Sequence, residues 1–434
     1  MKRGIATTTL VLLLAVVIIV AGIAYYYITL PTPAPGPKFK IAVVSDVGGR
    51  GDLAFNDMGF KGGEEAERDF GYEMVEIISK VEADYVPNLE IGAKDPDVKL
   101  IVGVGYLLSA ALAQVAKNYP DKYFAGIDTF SQFLVAPEDY PLPNLLDIVF
   151  EEHKGSAMVG ALGALLAAYY EKPYIGAVFG IEIPVLWKFE IGYKWGCDWA
   201  VNWTKANHPE LTEGIISTPR DERVLWTYTG TFSDITKGYE AAKPMYAKGA
   251  VAVYNIAGPL GLGIDQAVKE IAEAQGLTSG PPFWIGVDAD QDWIDPGFVI
   301  ASCMKRVDKG VYYATKLVVE DTFESIVSQT NGQITLGIGT TVGGVLMEGI
   351  SVSTLDNLDE FIAMGEMAEN LTGKKVLPGS PVWIKATVKA MREAQPSWIW
   401  DAVDELADQI ATGAVVVPLA LTQDVVNYWR EILG

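Results

Sequence analysis

The sequence predicts an α/β fold organised as two lobes. From Phe39 onward, short β-branched runs alternate with longer amphipathic stretches, which is the pattern of β-α units in a parallel sheet. Several of the runs are apolar on both faces, so their strands are expected to be buried between helices. The alternation occurs in two series that meet near residue 150, and half of the 434 residues are hydrophobic. This is enough apolar surface for two cores.

The first series predicts four strands and two helices. The strands are expected at 41–44, 75–78, 100–104 and 123–127, and the helices at 59–70 and 110–118. The second series begins with a helix. Its helices are expected at 155–170, 187–205, 235–248, 264–274 and 311–328, and its strands at 174–179, 224–228, 251–256, 284–287 and 301–304.

The C-terminal third is less regular. Helical patterns cover 356–373, 381–395 and 401–412. The run 415–418 has the composition of an edge strand that a proline stops.

The composition excludes several classes of function. Lys and Arg total 33 against 55 Asp and Glu, a formal charge of -22, so long-range repulsion argues against a nucleic-acid partner. Two cysteines are too few for a disulfide framework or a cysteine zinc site, although one bridge between them remains open. Neither of the two histidines accompanies a G-x-S-x-G motif. We therefore expect no catalytic residue, no metal and no cofactor.

Residues 1–30 have the pattern of a membrane anchor. Lys2 and Arg3 precede an uncharged stretch in which 5–30 is long enough to span a bilayer, which needs about 20 apolar residues. The two charges predict a cytoplasmic N-terminus, and the tyrosines at 25–27 suit an interfacial aromatic belt. A cleaved secretory signal is the alternative, although its apolar region would be about 7 to 15 residues. The proline-rich segment 31–37 then predicts an extended spacer.

The lipid anchor that is common among bacterial binding proteins needs a cysteine near the end of this segment. The two cysteines are Cys197 and Cys303, far from it. The N-terminal helix is therefore expected to take the place of the lipid and to hold the body of the protein outside the cell membrane.

The segment 45–57 is the first candidate for a binding loop. It leaves the carboxyl end of the first predicted strand, where open α/β sheets bind ligands. Phe55 offers a stacking face, and Asp46, Asn56 and Asp57 offer hydrogen-bonding groups for a neutral polar ligand. The alternative interpretation is a capped turn that places Phe55 in the core.

Two further loops follow predicted strands. The glycines at 258, 261 and 263 do not have G-x-G-x-x-G spacing, so Gly258 is expected at a helix N-terminus that lets a ligand approach closely. The segment 288–292 begins like an EF-hand but lacks its glycine and its final glutamate. Asp288 is instead expected to accept hydrogen bonds from ligand hydroxyls. Phe189 opens a helix and is expected to lie across the cleft from Phe55.

Read together, these segments resemble the basic membrane protein family, the purine-nucleoside-receptor type of substrate-binding protein that serves ABC importers. The likeness covers Lys40 to about Ser328 and resumes over 403–418. It is carried by SDVGGRGDLAFND (45–57), LIVGVGYLLSAALAQVAKNYPDKYFAGID (100–128), EEHKGSAMVGALGALLA (151–167), IPVLWKFEIGYKWG (183–196), GTFSDITKGYEAAKPMYAKGA (230–250), and IGVDADQDW with CMKRVD (285–308).

The resemblance implies a type I periplasmic-binding-protein fold, with two doubly wound lobes around a ligand cleft and a three-stranded hinge. On this basis 38–150 and about 285–325 are expected to form lobe 1. Lobe 2 is expected to comprise 151–284 and about 326–434. The stretch 350–400 is longer than the family needs.

The resemblance also implies roles for residues of the cleft. Phe55 and Phe189 would stack on the two faces of a nucleoside base, and Asn56 and Asp128 would bind its edge. Ribose hydroxyls or their neighbouring network would be held by Asp46, Asp288 and Lys305. Asp57 stands where the family often has glutamine.

The resulting hypothesis is a monomeric, membrane-tethered receptor that closes around a nucleoside and delivers it to an ABC permease. A binding protein for a sugar or another small polar metabolite is the alternative, because aspartates and aromatic rings suit either ligand. A surface nucleoside hydrolase would need a metal-binding aspartate cluster, which 288–292 matches poorly.

Overall fold

The computed structural model describes residues 39–342 and 345–434. Lys40–Gly434 forms one compact unit. In these described ranges no helix is both long and apolar enough to cross a membrane. The predicted anchor and proline-rich spacer fall within residues 1–38, outside the described part.

The first sheet has six parallel strands in the order β2-β1-β3-β4-β5-β11. The strands are β1 (Lys40–Ser45), β2 (Glu73–Ile78), β3 (Val98–Val104), β4 (Tyr123–Ile127), β5 (Leu145–Phe150) and β11 (Gln333–Leu336). Four of them, β1 and β3 to β5, are almost wholly buried, because helices cover both faces of a parallel sheet.

The second sheet repeats this arrangement in the order β7-β6-β8-β9-β10-β14, with its last strand antiparallel. The strands are β6 (Tyr174–Phe179), β7 (Val224–Tyr228), β8 (Ala250–Ile256), β9 (Phe283–Asp288), β10 (Val299–Lys305) and β14 (Ile350–Val352). A small hairpin pairs β12 (Thr340–Val342) with β13 (Val345–Met347).

The described helices of eight or more residues, and one of seven, connect and cover these strands. They are α1 (Phe55–Phe70), α2 (Tyr85–Lys94), α3 (Ser109–Asn118), α4 (Glu152–Tyr169), α5 (Pro184–Asn207), α6 (Ile235–Ala247), α7 (Leu260–Gln275), α8 (Val307–Val319), α9 (Phe323–Gln329), α10 (Leu358–Thr372), α11 (Pro381–Glu393), α12 (Ser397–Ala411) and α13 (Gln423–Leu433).

The α/β class is confirmed, and the strand order explains where a ligand site should lie. Each sheet begins 2-1-3-4-5 when its own strands are numbered along the chain, which is a common doubly wound order. The order reverses beside β1 in the first sheet and beside β6 in the second. Ligands of open α/β sheets bind at the carboxyl ends of the strands next to such a reversal.

The predicted lobe boundary near residue 285 needs correction. Strands β9 and β10 extend the second sheet through parallel pairing with β8 and with each other, so 283–305 does not belong with the first lobe. The chain returns only after Lys305, where α8 packs against α1. Residues 333–336 fall in the range expected for lobe 2, but they pair with β5 in the first sheet. The chain thus passes between the sheets after β5, after β10 and after β11.

Two local predictions also differ from the structure, and several elements were not predicted. The run 415–418 is not a strand, and its Val416 is 82 % exposed. The helix expected over 311–328 is divided into α8 and α9 at Asp321, whose φ is 55°. The elements that were not predicted are strands β5 and β11 to β14 and helices α2 and α13. Cys197 and Cys303 are both free and buried.

Helices α4 and α5 approach each other closely through glycine. A methyl group on Gly160 would overlap the carbonyl oxygen of Tyr193, and one on Gly196 would overlap that of Ala157. This contact fixes α5 against α4. It thereby sets the position of the first turns of α5, which face the cleft.

Candidate functional site

A cleft of about 640 Å³, open solvent at its mouth included, lies among the loops at the carboxyl ends of the strands. Eight of the nine residues predicted to bind a ligand line it. They are Asp46, Phe55, Asn56, Asp128, Phe189, Gly258, Asp288 and Lys305. The reversal points of both sheets contribute loops, as the strand order requires.

Two aromatic rings flank the centre of this cleft. Phe55 is the first residue of α1, and Phe189 lies in the second turn of α5. The Lys305 Nζ is 5.1 Å from the centroid of the Phe55 ring and 5.8 Å from that of Phe189. The rings therefore border the same small volume from different segments of the chain.

Lys305 is the centre of a buried charge network. Its Nζ pairs with Asp128 and lies 2.9 Å from Glu152 Oε1. Glu152 also pairs with Lys188, whose Nζ donates to the Phe150 carbonyl at 2.9 Å. Burial opposes ionisation of Glu152, but the two ammonium groups lower its pKa. The network compensates these charges inside the protein, where an unpaired charge is costly.

Asp128 and Asp288 place carboxylates in the cleft at the ends of β4 and β9. Both adopt left-handed backbone conformations, with φ of 61° and 64°, which few residues other than glycine, Asn and Asp tolerate. Burial raises the pKa of Asp128 to about 6 and that of Asp288 to about 7, although Lys305 opposes both shifts. Both carboxyl groups therefore hold their protons more tightly than an exposed aspartic acid does.

Asp46 and Asn56 form a second polar group on the first-sheet side. Asn56 Nδ2 donates to Asp46 at 3.0 Å and to Asp52 at 3.1 Å. Asp46 also accepts from the Gly48 N–H at 2.9 Å. Burial raises the pKa of Asp46, and both hydrogen bonds counteract that rise.

Two fully buried acceptors in this lining, Asn56 Oδ1 and Asp128 Oδ1, make no hydrogen bond within the described residues. Buried acceptors are normally satisfied. The cleft is thus suited to a ligand that brings hydrogen-bond donors to these two oxygens.

Asp57 does not line the cleft, contrary to its predicted role. Its carboxylate accepts hydrogen bonds from the Gly51 and Leu53 N–H groups, both at 2.9 Å. These bonds hold the turn between β1 and α1. For Asp57, the structure therefore agrees with the alternative interpretation of the segment as a capped turn. Asp57 supports the loop and does not face the ligand space.

Gly258 lies where the chain turns from β8 into α7. Its φ is 49°, and its carbonyl accepts from Asn255 Nδ2 at 2.9 Å. An added Cβ would lie 4.0 Å from the carboxylate of Asp52, so the two sides of the cleft approach each other here.

Sequence reasoning missed Asp52, Glu152 and Lys188. Asp52 lines the cleft, and its carboxylate accepts from the N–H groups of Ala54 and Asn56 at 3.0 and 2.8 Å. Glu152 lies two residues after the end of β5, so recognition of that strand would have placed it at the same sheet edge. Lys188 gave no such signal, since it lies between aromatic residues of a helix.

In the described part of the chain, one acidic cluster outside the cleft has the spacing of a cation site: Glu65, Asp308 and Glu360. Lys61 Nζ lies 2.8 Å from Asp308 and 2.6 Å from Glu360. Arg306 contacts the same two carboxylates at 2.6 and 3.0 Å. These side chains already supply the positive charge that a metal would bring.

Comparison with known proteins places the chain in a family. The family model described as ABC transporter substrate-binding protein, PnrA-like, matches residues 39–363. An uncharacterized lipoprotein of Pyrococcus horikoshii is 36 % identical over 390 residues, covering 90 % of this chain and 86 % of that protein. The ABC transporter nucleoside-binding protein BmpA of Lactococcus lactis is 28 % identical over 282 residues, or 62 % of this chain and 71 % of that protein.

The fold is also similar to a solved structure. The crystal structure of an ABC transporter solute-binding protein from Aeropyrum pernix superposes with a TM-score of 0.74 and 31 % identity. The match covers 91 % of this chain and 97 % of that protein.

Proposed function

The chain belongs to the family of PnrA-like ABC transporter substrate-binding proteins, known also as the basic membrane protein family, and we propose that it captures a nucleoside with a purine base for an ABC importer. One observation carries the choice of ligand. Two aromatic rings, Phe55 and Phe189, border a cleft that also presents the carboxylates of Asp46, Asp128 and Asp288.

Each part of a nucleoside has a chemical counterpart in this lining. A base between two rings gains about 1 to 3 kcal/mol from stacking. Its edge donates to Asn56 Oδ1 and Asp128 Oδ1, the two acceptors that lack partners. The ribose hydroxyls donate to Asp288 and Asp46, because a carboxylate is an acceptor with several lone pairs.

The charge of the cleft favours a nucleoside over a nucleotide. Asp46, Asp52 and Asp288 line it, whereas Lys305 is engaged by Asp128 and Glu152. A phosphate would bring negative charge next to these carboxylates in a medium of low dielectric constant, where repulsion is strong. A neutral ligand avoids this cost.

Capture proceeds by closure of the two lobes, in the manner of a type I periplasmic-binding protein. The chain passes between the sheets three times, after β5, β10 and β11, and these passages serve as the hinge. The ligand shifts the protein toward the closed state because it contacts both sides of the cleft there and only one side when open.

The body acts outside the cell, close to the permease that receives the ligand. Relatives from Pyrococcus are named lipoproteins, whereas both cysteines of this chain lie in buried parts of the body. The apolar stretch 5–30 therefore anchors the protein instead, and 31–37 spaces the body from the membrane.

Calorimetric titration of the full-length protein in detergent tests this function. Nucleosides, free bases, sugars and nucleoside monophosphates are titrated in turn, and the solutions are assayed for released base or ribose. Submillimolar binding of a nucleoside without turnover supports the proposal, and a weaker monophosphate supports the charge argument. Binding of a sugar alone, or catalytic release of base, would overturn it.

A further inference from the structure

A side-chain hydrogen bond joins two loops that come from different sheets. Gln291, in the loop after β9, donates from Nε2 to the Leu53 carbonyl at 3.2 Å. Its Oε1 accepts from the Val287 N–H at 3.0 Å. Gln291 is 2 % exposed, so water does not compete for this bond.

The Leu53 carbonyl is aimed by its own loop. Leu53 has a left-handed φ of 53°, an uncommon conformation for a leucine. Its N–H donates to Asp57 at 2.9 Å. Asp57 thus holds the backbone of the residue whose carbonyl receives the bond from Gln291.

A chain of hydrogen bonds through Ser302, Asp292, Ser353 and Arg392, here called the relay, holds the backbone of Gln291. Its N–H donates to Ser302 Oγ at 2.9 Å, and that hydroxyl donates to Asp292 Oδ1 at 2.8 Å. The Asp292 carboxylate pairs with Arg392. Ser353 reinforces the relay, since its Oγ accepts from Arg392 at 2.8 Å and donates to Asp292.

Arg392 reaches the relay from α11, which lies beyond the part of the chain that the family model matches, 39–363. Trp400 fixes the arginine. Its ring lies 5.4 Å from the guanidinium carbon, and its Nε1 donates to the Arg392 carbonyl at 3.1 Å. The C-terminal segment thereby contacts the loop that carries Asp288 at the cleft.

We propose that Arg392 is a positioning residue for ligand retention. Arg392 holds Asp292 and, through it, the backbone of Gln291. The side chain of Gln291 bonds to Leu53 and thereby keeps the loops after β1 and β9 together over a bound ligand. The inference rests on the proposed function, because retention presupposes a ligand in the cleft. Separation of the loops for ligand escape breaks the bond between Gln291 and Leu53, so the dissociation rate is the quantity that Arg392 governs.

The test compares ligand dissociation from Gln291→Glu, Arg392→Ala and the double variant by stopped-flow displacement of a bound purine nucleoside. Gln291→Glu keeps the acceptor for Val287 and, in its ionised form, loses the donor to Leu53. Loss of one hydrogen bond predicts dissociation about 3- to 10-fold faster for each single variant. Because Arg392 acts through Gln291, the double variant dissociates no faster than Gln291→Glu.

Lys389→Ala is the matched control, since Lys389 lies on the same helix in an exposed pair with Glu393. It leaves the rate unchanged. Arg392→Lys, which keeps a charge for Asp292, restores part of the retention. Rates that multiply in the double variant show that Arg392 acts on stability in general and overturn the inference, as does an unchanged rate in Arg392→Ala.

Hydrogen exchange of the ligand-free protein separates this inference from the proposed function. Arg392→Ala speeds exchange in peptides containing the Val287 and Gln291 amides, and Lys389→Ala does not. If the wild type binds no nucleoside, the proposed function fails while the exchange data still decide whether Arg392 positions the loop. If the wild type binds and neither measurement changes, the inference alone fails.

Discussion

The ammonium of Lys305 lies 2.9 Å from the carboxylate of Glu152, which joins two of the three places where the chain passes between the sheets. Lys305 ends β10, and Glu152 follows β5. The same ammonium pairs with Asp128 at the end of β4. The charge network is therefore both part of the cleft lining and a connection between the sheets.

Replacing Lys305 by methionine is expected to destabilise the protein by about 3 to 5 kcal/mol, because it leaves a buried carboxylate without its partner. Urea denaturation of the ligand-free protein measures this. Lys309→Met is the control, since that side chain is 40 % exposed, and its effect is expected to be within about 0.5 kcal/mol. Equal stability of the two variants would contradict the burial argument.

Phe55→Ala is expected to weaken nucleoside binding by about 1 to 3 kcal/mol, or roughly 5- to 150-fold in Kd, since one stacking face is lost. Titration calorimetry measures the change. Phe133→Ala removes a ring that is 74 % exposed and does not line the cleft, so its Kd matches that of the wild type. An unaltered Kd for Phe55→Ala would refute the stacking role.

Because of Asp288, the stability of the folded protein is expected to decrease as the pH rises. Its pKa is raised to about 7 by burial from an ordinary 3.8, so the folded state holds this proton more tightly than the unfolded chain. The contribution of the protonated Asp288 to the free energy of unfolding is fully present below about pH 4 and is lost as pH rises through 7. Asp288→Asn removes the charge and tolerates the left-handed backbone.

The variant is therefore more stable than the wild type at pH 8, by up to roughly 4 kcal/mol at about 1.4 kcal/mol per pKa unit. The difference disappears near pH 4. Denaturation of both ligand-free proteins at the two pH values checks this. A variant less stable than the wild type at pH 8 would show that burial of the ionised Asp288 does not destabilise the folded protein.

Gly160→Ala is expected to destabilise the packing of α4 against α5, because the new methyl group overlaps the Tyr193 carbonyl oxygen. We expect a loss of about 1 to 3 kcal/mol, as for overpacked cores. Gly163→Ala on the same helix meets its nearest atom, the Tyr193 hydroxyl, at 3.3 Å. It should be tolerated far better, and a comparable loss in thermal unfolding would argue against close helix contact.

Most strands and helices were predictable because their apolar runs are continuous and their boundaries are marked by glycine or polar residues. Strand β5 escaped prediction because Asp147 interrupts its apolar run. That carboxylate is satisfied internally by the N–H and hydroxyl of Ser131, at 2.7 and 2.6 Å, a contact that residue spacing does not reveal. The run 415–418 was predicted as a strand and is not one, because β-branched residues favour a strand only where another strand is available to pair.

The cleft residues were predictable to the extent that they follow strands in a doubly wound sheet. Asp128, Asp288 and Lys305 each stand at such an end. Asp57 was placed wrongly because sequence cannot tell which acidic residue of a turn faces inward. Lobe membership after residue 283 was equally hidden, since whether a strand extends one sheet or returns to the other depends on pairing partners distant in the chain.

The position of β11 has a consequence for how the protein is made. The edge strand of the first sheet comes from residues 333–336, almost two hundred residues after its neighbour β5, while five of the six strands of the second sheet come from the chain between them. Neither half corresponds to a continuous stretch of nascent polypeptide. Completion of both must wait until most of the chain has been synthesised, and pairing over such separations is slow. Folding of the two lobes is therefore expected to be one late, cooperative event and not a sequence of two independent ones.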